Sequence, residues 1–279
     1  MKAEQRFKHH EWALILGASS GFGGAAAVEF ARHGLNIIGV HLDRQATMHN
    51  VVQCTREIRH AGREAIFHNI NAADAIKRSE VLDDVRERFA RMHGQTVKVL
   101  LHSLAFGTLK PFVGKQPEDV VSQAQMEMTL DVMANSLVYW VQGLLQRGLM
   151  RKGGRIFGMT SSGGHSVLPN YGAVSAAKAA LESHIRQLAM ELGPLGITAN
   201  AIMAGVTDTP ALRKIPGAAR MLEIARAKNP HGTVTAAEDV ARALVLLADD
   251  NAYWVSGNVI GVDGGEDIVN YVGQKTHRE

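Results

Sequence analysis

Short apolar runs alternate with longer stretches in which apolar residues recur at helical spacing. Runs of this kind are typical of strands buried on both faces, and the longer stretches are typical of amphipathic helices. The predicted strands are residues 12–16, 36–41, 64–68, 97–101, 154–160, 197–203 and 258–262. The predicted helices are residues 24–33, 46–60, 73–92, 119–150 (broken once near Thr129), 171–192 and 236–248. The alternation predicts one α/β domain over residues 1–279, built on a doubly wound parallel sheet.

A glycine-rich turn follows the first predicted strand and opens the first predicted helix. Gly17, Gly21 and Gly23 would let the backbone turn tightly and approach a pyrophosphate, whose charge is favoured at a helix N-terminus. Because the turn lies between a strand and a helix, it indicates a dinucleotide-binding Rossmann fold. The other predicted cofactor-binding residues of the turn are Ser19, Ser20 and Phe22.

Residues after the second predicted strand bear on the choice of cofactor. Asp43 lies 20 residues after Gly23, near where an acidic residue would bind the adenosine ribose. His41 and Arg44 suit a 2′-phosphate at least as well as a free hydroxyl. The sequence therefore favours NADP(H) slightly over NAD(H).

Polar residues also follow the later predicted strands, and the carboxyl ends of parallel strands meet at one edge of the sheet. Tyr171 and Lys178 lie seven residues apart, within about 20° of one helical face, and open the helix after the fifth strand. A lysine ammonium beside a phenol would lower the phenol pKa and make it a proton donor. Ser161 could donate a hydrogen bond to a substrate oxygen, or could serve only as a turn residue.

Composition narrows the function class. The net charge of +3 and the absence of basic runs interleaved with aromatics give no indication of nucleic-acid binding. The single cysteine, Cys54, excludes an internal disulfide and fits a reducing compartment. We find no apolar run of roughly 18 residues and no signal-like start, so we expect a cytoplasmic protein without a membrane span. The scattered histidines predict no metal site.

Together these motifs resemble the short-chain dehydrogenase/reductase family over nearly the whole chain. Residues 17–23 resemble its cofactor turn, Asn69 its adenine-side residue, Ser161 and Lys178 its active-site serine and lysine, and residues 262–265 its terminal strand motif. The resemblance implies that Lys178 holds the nicotinamide ribose hydroxyls. It also implies a cofactor site that includes Asn69, Ile70, Ser103, Leu104, Ala105, Lys178, Gly205, Val206 and Thr209.

Three departures from the family pattern resemble its enoyl-(acyl carrier protein) reductase branch. The usual tyrosine position, four residues before the lysine, is Val174, and residues 102–105 and 204–205 also differ from the ordinary motifs. Residues 205–216 resemble the NADPH-using subtype that keeps a serine at position 161. The helix asparagine of the ordinary family falls at about Met133, so the resemblance does not extend to the usual proton relay through that residue.

The displaced tyrosine favours a particular reaction. A residue seven before the lysine lies about 10.5 Å away along a helix, against about 6 Å for one four before. In conjugate reduction the hydride goes two carbons further from the oxygen than in ketone reduction. The sequence therefore predicts reduction of the C=C bond of a 2-enoyl thioester, of the fatty acid synthesis type. A ketone, 3-oxoacyl or hydroxysteroid reductase and a non-catalytic NADP(H)-binding sensor remain as alternatives.

Residues 209–228 are predicted to form a mobile, helical substrate lid. Its apolar residues would contact an acyl chain, and the predicted substrate-binding residues are Phe106, Tyr171, Leu212 and Met221. The basic residues Arg213, Lys214, Arg220, Arg226 and Lys228 oppose only Glu223. They could attract an acidic acyl carrier protein or the phosphates of coenzyme A, or could simply be solvated. The family resemblance further implies a homotetramer paired through residues 119–150 and 170–192.

Overall fold

A computed structural model describes residues 5–270, so both extreme ends of the predicted 1–279 domain lie outside the described residues. Within that range, parallel strands form one sheet in the order β3-β2-β1-β4-β5-β6-β7. This order confirms the predicted doubly wound sheet in a single domain. The strands are β1 (Glu11–Leu16), β2 (Asn36–His41), β3 (Ala65–Asn69), β4 (Thr96–His102), β5 (Arg155–Thr160), β6 (Thr198–Ala204) and β7 (Val259–Val262).

Helices cover both faces of the sheet. They are α1 (Gly21–Arg32), α2 (Met48–His60), α3 (Ala75–Ala90), α4 (Gln123–Leu130), α5 (Ser136–Gln146), α6 (Gly172–Leu192), α7 (Ala218–Lys228) and α8 (Ala237–Ala248). None of these helices within residues 5–270 has both the length and the apolarity that crossing a bilayer requires.

The core has two layers, one on each face of the sheet. Trp12 and Leu14 of β1 pack in the layer that contains Trp140, whereas Ile15 packs in the layer that contains Phe30. Because successive strand residues point to opposite faces, a central strand must be apolar at every position. Burying each large side chain contributes about 1.5–3 kcal/mol. The unbroken apolar runs in the sequence follow from this arrangement.

The predicted helix over residues 119–150 is divided into α4 and α5. A capping box between Ser122 and Gln125 begins α4, and a π-turn over Asp131–Asn135 separates the two helices. The predicted break near Thr129 is thus confirmed, slightly later in the chain. Such turns hold one residue more than an α-helical turn and often occur at functional sites.

Candidate functional site

The glycine turn lies at the point where the chain reverses its order across the sheet, between β1 and β4. A methyl group built on Gly17 (φ +89°) would lie 2.5 Å from Ser103 O, and one on Gly23 would lie 2.1 Å from Gly17 O. A methyl group on Gly21 would be 3.6 Å from Thr209 Cγ2. The structure therefore brings together the predicted residues of the turn, of the segment after β4 and of the segment after β6.

Asp43 lies at the end of the cleft next to the glycine turn. His41 Nδ1 is 2.9 Å from Asp43 Oδ2, and the Asn69 side chain bonds both the N–H and the C=O of Asp43. Burial acts to raise the pKa of Asp43. Hydrogen bonds from Thr47, Ser19 and His41 outweigh that effect, so the pKa lies below its ordinary value. Asp43 is therefore a carboxylate at neutral pH, held beside the turn.

The prediction that His41 and Arg44 together suit a 2′-phosphate receives no support from this geometry. His41 is buried, and its Nδ1 is occupied by Asp43. Arg44 is exposed at the start of a short 3-10 turn. Ile70 donates its N–H to His41 O as part of the strand ladder, which places it beside this end of the cleft.

A buried glutamate supports the segment after β6. Gly205 packs between Thr235 Oγ1 and Glu266 Oε2. A methyl group built on Gly205 would lie 2.3 Å from the first atom and 3.0 Å from the second. The N–H of Val206 points at the Glu266 carboxylate, 3.3 Å from each oxygen. Burial raises the pKa of Glu266. Thr209 is buried, and its Oγ1 accepts the N–H of Leu212.

Tyr171 is the residue before the first turn of α6, not part of the helix. It follows Asn170, the one non-glycine residue with a left-handed backbone (φ 62°) in the described part of the chain. Tyr171 is thus the N-cap of α6, and its carbonyl accepts the N–H of Ser175 at 2.8 Å, so the chain passes from Tyr171 straight into the helix that carries Lys178. The Tyr171 ring lies over Gly163, where a methyl group would be 2.5 Å from Cε1.

The electrostatic environment of Tyr171 also differs from expectation. Burial raises its pKa, and the hydroxyl of Ser161 offsets only part of that effect. The predicted lowering of the phenol pKa is therefore wrong, because burial outweighs the opposing interactions and the pKa is raised. Ser161 Oγ is buried and meets no partner at full hydrogen-bond geometry, although it is near enough to the Tyr171 hydroxyl to act on the pKa of the phenol. The pair therefore presents a protonated phenol and an unsatisfied hydroxyl.

Lys178 is buried at the floor of the site. Its Nζ donates a hydrogen bond of 2.7 Å to Met159 O. Burial lowers the pKa of Lys178 to about 8, and the charge of Glu182 acts in the opposite direction. At neutral pH the ammonium form therefore predominates.

His102 is a neutral, buried neighbour of Lys178. Burial, and then the charge of Lys178, lower the pKa of His102 to about 3. Its Nε2 lies 2.9 Å from Ser136 Oγ, which itself donates to Val132 O. Since the serine proton is used, the imidazole donates through Nε2. His102 thus adds no charge to the site above pH 4 or so.

Val174 is covered by the segment that follows β4. The side chain is 5% exposed and packs with Met133 and Ala177. A methyl group on Gly107 would lie 2.8 Å from Val174 Cγ2 and 2.7 Å from Thr129 Cγ2. The backbone at Gly107 therefore covers position 174, where the ordinary family has its tyrosine.

The predicted lid consists of a 3-10 turn at Leu212–Lys214 followed by α7. Leu212 is buried, Met221 is half-buried, and Phe106 of the segment after β4 is 62% exposed. Arg213 forms a two-pronged ion pair with Asp208, at 2.7 and 2.9 Å, and Arg220 pairs with Glu223. Glu223 is the one acidic residue within 209–228, and Asp208, just before the lid, supplies a second acidic partner. Three cations, Lys214, Arg226 and Lys228, form no ion pair within residues 5–270.

Four contributors were not found by sequence reasoning. Gly107 and Gly163 matter through close contacts between distant segments, which no local pattern reveals. Glu266 likewise acts through a long-range contact. Glu182 could have been predicted from the sequence, because a residue four after Lys178 lies on the same face of a helix. Within the described part of the chain, no three His, Cys, Asp or Glu side chains are grouped so as to hold a metal ion.

Replacing Gly163 with alanine should displace the Tyr171 ring, because the new methyl group would lie 2.5 Å from Cε1. We expect kcat to fall at least about tenfold, since small misplacements of a catalytic group are costly. The measurement is steady-state kinetics beside a cofactor titration. Gly193→Ala, whose added methyl group meets nothing within 4 Å and which, like Gly163, has no positive φ, is the control. Unchanged kcat in Gly163→Ala would show that the ring position is unimportant.

Comparison with known proteins agrees with this architecture. Residues 17–266 match the family described as enoyl-(acyl carrier protein) reductase. The chloroplastic NADPH-dependent aldehyde reductase-like protein of Arabidopsis thaliana is 30% identical over 262 residues, which are 91% of this chain and 93% of that protein.

Enoyl reductases are also similar to this chain. The enoyl-(acyl-carrier-protein) reductase (NADH) FabI of Synechocystis sp. is 32% identical over 191 residues, 66% of this chain and 68% of that protein. The crystal structure of the enoyl-(acyl-carrier-protein) reductase (NADH) from Aquifex aeolicus superimposes with a TM-score of 0.80 at 25% identity, covering 94% of this chain and 98% of that one. This chain therefore belongs to the enoyl-(acyl carrier protein) reductase family of the short-chain dehydrogenases/reductases, oxidoreductases that use nicotinamide cofactors.

Proposed function

We propose that this oxidoreductase reduces the C=C bond of a 2-enoyl thioester. The observation that carries the proposal is the placement of Tyr171. The position four residues before Lys178 holds Val174, which lies under Gly107 and offers no proton donor. Within residues 5–270, the phenol that accompanies Ser161 comes from Tyr171 alone.

The position of the phenol suits conjugate reduction better than ketone reduction. In a ketone the oxygen is bonded to the carbon that receives hydride, so its proton donor must lie next to the nicotinamide. In a 2-enoyl thioester the hydride goes to C3, and negative charge develops on the thioester oxygen two carbons away. A tyrosine displaced by three residues from the usual position fits that longer distance.

A bound NAD(P)H would supply the hydride to C3. Tyr171 would hydrogen-bond the developing enolate oxygen, and C2 would then take up a proton from solvent, so that hydride and proton together saturate the C=C bond. Burial raises the pKa of Tyr171, so the phenol keeps its proton at neutral pH and can donate. Ser161 Oγ, buried beside the phenol, would donate a second hydrogen bond. Lys178 would hold the nicotinamide ribose.

The residues present fit such a cofactor. The space beside Gly17 and Gly23 has no room for a methyl group, so the turn can hold a pyrophosphate only through its backbone N–H groups. We propose that the predicted set holds the rest of the cofactor, with Asn69 and Ile70 at the adenine end. Ser103, Leu104 and Ala105 would contact its middle, and Gly205, Val206 and Thr209 would contact the nicotinamide carboxamide.

The choice between cofactors depends on Asp43. A carboxylate beside Ser19 can accept a hydrogen bond from a ribose 2′-hydroxyl and repels a 2′-phosphate. This geometry supports NAD(H), in contrast to the slight preference for NADP(H) that His41 and Arg44 suggest.

Replacing Asp43 with serine should improve the use of NADPH relative to NADH by at least about tenfold, because a like charge near the phosphate is removed. The measurement is the ratio of KM values for the two cofactors. Arg44→Ser is the matched control and should change the ratio in the opposite direction only if Arg44 binds a phosphate. A wild-type preference for NADPH that Asp43→Ser leaves unchanged would contradict this assignment.

The lid bears on the acyl substrate. We propose that Phe106, Leu212 and Met221 contact the acyl chain beside Tyr171. The cations Lys214, Arg226 and Lys228 leave a net positive charge near the lid, which supports binding of an acidic carrier protein or of coenzyme A phosphates.

The test of the proposed function is a spectrophotometric screen of purified protein. NADH and NADPH oxidation are followed with a crotonyl thioester of coenzyme A, the same acyl group on a carrier protein, and a panel of ketones. We expect turnover with the enoyl thioesters that is lost in Tyr171→Phe. Robust reduction of ketones without enoyl activity would contradict the proposal.

A second candidate is carbonyl reduction, favoured by the similarity to a plant protein named as an aldehyde reductase-like protein over 91% of this chain. The covered Val174 stands against it, because no phenol occupies the position that carbonyl reduction ordinarily uses. The ketone panel in the same screen distinguishes the two candidates.

We further propose, from the family resemblance, that the protein is a cytoplasmic homotetramer paired through α4–α5 and α6. Light scattering measures the oligomeric state directly.

A further inference from the structure

Glu182 connects two elements of the candidate site, helix α6 with Lys178 and the end of β5 with Ser161. It lies one helical turn after Lys178 on α6, and its Oε1 accepts a 2.6 Å hydrogen bond from Thr160 Oγ1. Thr160 is the last residue of β5 and directly precedes Ser161. A single carboxylate therefore lies next to the lysine and is bonded to the residue that positions the serine.

The loop after β5 packs directly on this pair. A methyl group built on Gly164 would lie 2.9 Å from Glu182 Oε1 and 3.5 Å from Lys178 Cβ. A larger residue at position 164 would push the loop away from α6. The contact holds the loop that carries Ser161 and Gly163 against the helix that carries Lys178.

We propose that Glu182 is a positioning residue of this site, which ties the end of β5 to α6 and holds Lys178 as a cation. The inference rests on the proposed roles of Lys178 and Ser161 in the site. Glu182 acts through these two residues and does not contact the reacting atoms.

The groups around Lys178 show why one carboxylate has this effect. On β4, His102 is neutral, and at the start of α6, Tyr171 is protonated. The buried residues Met133 of the π-turn and Ser136 of α5 carry no charge, and the charged residue of that turn, Asp131, acts on Arg78. Among the described residues, Glu182 is the group whose charge raises the pKa of Lys178 against its burial. Without that charge the ammonium form would be lost at a lower pH.

The test compares two variants that separate charge from hydrogen bonding. Glu182→Gln removes the charge but keeps an acceptor for Thr160, whereas Thr160→Val removes the hydrogen bond but keeps the charge. Cofactor affinity is measured by fluorescence titration from pH 6 to pH 9 without any acceptor, and the pH profile of kcat/KM is measured beside it. In wild type the affinity should weaken as the pH rises through about 8. We call this loss of affinity with rising pH the alkaline limb. In Glu182→Gln the alkaline limb should lie about one pH unit lower.

Thr160→Val should leave the alkaline limb at its wild-type pH. It should lower kcat, because Ser161 is no longer held in position. An unshifted alkaline limb in Glu182→Gln, or the same shift in Thr160→Val, would overturn the proposal. If Glu182→Gln fails to fold, Glu182→Asp serves instead, with the charge kept and the reach shortened. It should retain the alkaline limb and reproduce the kcat loss of Thr160→Val, and a shifted alkaline limb would overturn the proposal. Because the titration needs no acceptor, it succeeds or fails independently of enoyl reduction.

Discussion

Replacement of Tyr171 with phenylalanine should lower kcat for enoyl reduction by about 10²–10⁴-fold, the usual contribution of a positioned proton donor. The ring contacts with Gly163 are retained, and only the hydroxyl beside Ser161 is removed. Cofactor affinity should be nearly unchanged, because Lys178 and the glycine turn keep their contacts. Steady-state kinetics with a crotonyl thioester and a cofactor titration together measure both effects.

Ser161→Ala is the matched control for this prediction. It removes the neighbouring hydroxyl and should cost less than Tyr171→Phe, because the phenol can still donate to the thioester oxygen. Since Ser161 Oγ is buried and makes no well-formed hydrogen bond, the free energy of unfolding should change little in Ser161→Ala. Full activity in Tyr171→Phe would show that another group supplies the donor.

Replacement of Gly23 with alanine should abolish cofactor binding at practical concentrations. The new methyl group would lie 2.1 Å from the carbonyl oxygen of Gly17 and 2.9 Å from its carbon. Both atoms belong to the backbone of the turn, so relief requires that the turn itself move. We expect at least about a 100-fold loss of cofactor affinity and a destabilisation of about 1–3 kcal/mol.

Gly193→Ala is the control for the general cost of adding a methyl group. Gly193 has φ −52° and ψ −49°, and its added methyl group meets nothing within 4 Å. This variant should be neutral or more stable by about 0.4–1 kcal/mol, through the restricted unfolded chain. Denaturant unfolding and fluorescence titration of both variants provide the comparison. Normal cofactor affinity in Gly23→Ala would rule out the glycine turn as the pyrophosphate site.

Much of the sheet could be predicted because its strands are buried on both faces. The strand Asn36–His41 has the predicted bounds, and the glycine turn lies where the first strand meets the first helix. Such elements depend on local composition, which a sequence displays directly. Because the strands are parallel, their carboxyl ends lie at one edge of the sheet, and this edge is where the sequence predicts the site.

The details of the site depend on contacts that a sequence does not display. Spacing predicts Tyr171 on a helical face, and the structure places it at the N-cap of α6, directly after the left-handed Asn170, a turn that the spacing does not reveal. Its pKa was predicted to fall beside Lys178, but burial raises it. His41 was interpreted as a possible phosphate ligand, but it is buried against Asp43. In each case burial and tertiary packing outweigh the effect expected from sequence spacing.

The π-turn at Asp131–Asn135 sets the rotational phase of α4 relative to α5. Deleting one residue there would restore a continuous α-helix and rotate α4 by about 100°. Thr129 would then release the N–H of Thr108, which its Oγ1 now accepts at 3.0 Å, and Gly107 would no longer be held over Val174. We therefore expect a one-residue deletion combined with Val174→Tyr to expose position 174 as a second place for a proton donor. Reaction type in such a chain could change through an insertion or deletion in a helix that bears no catalytic residue.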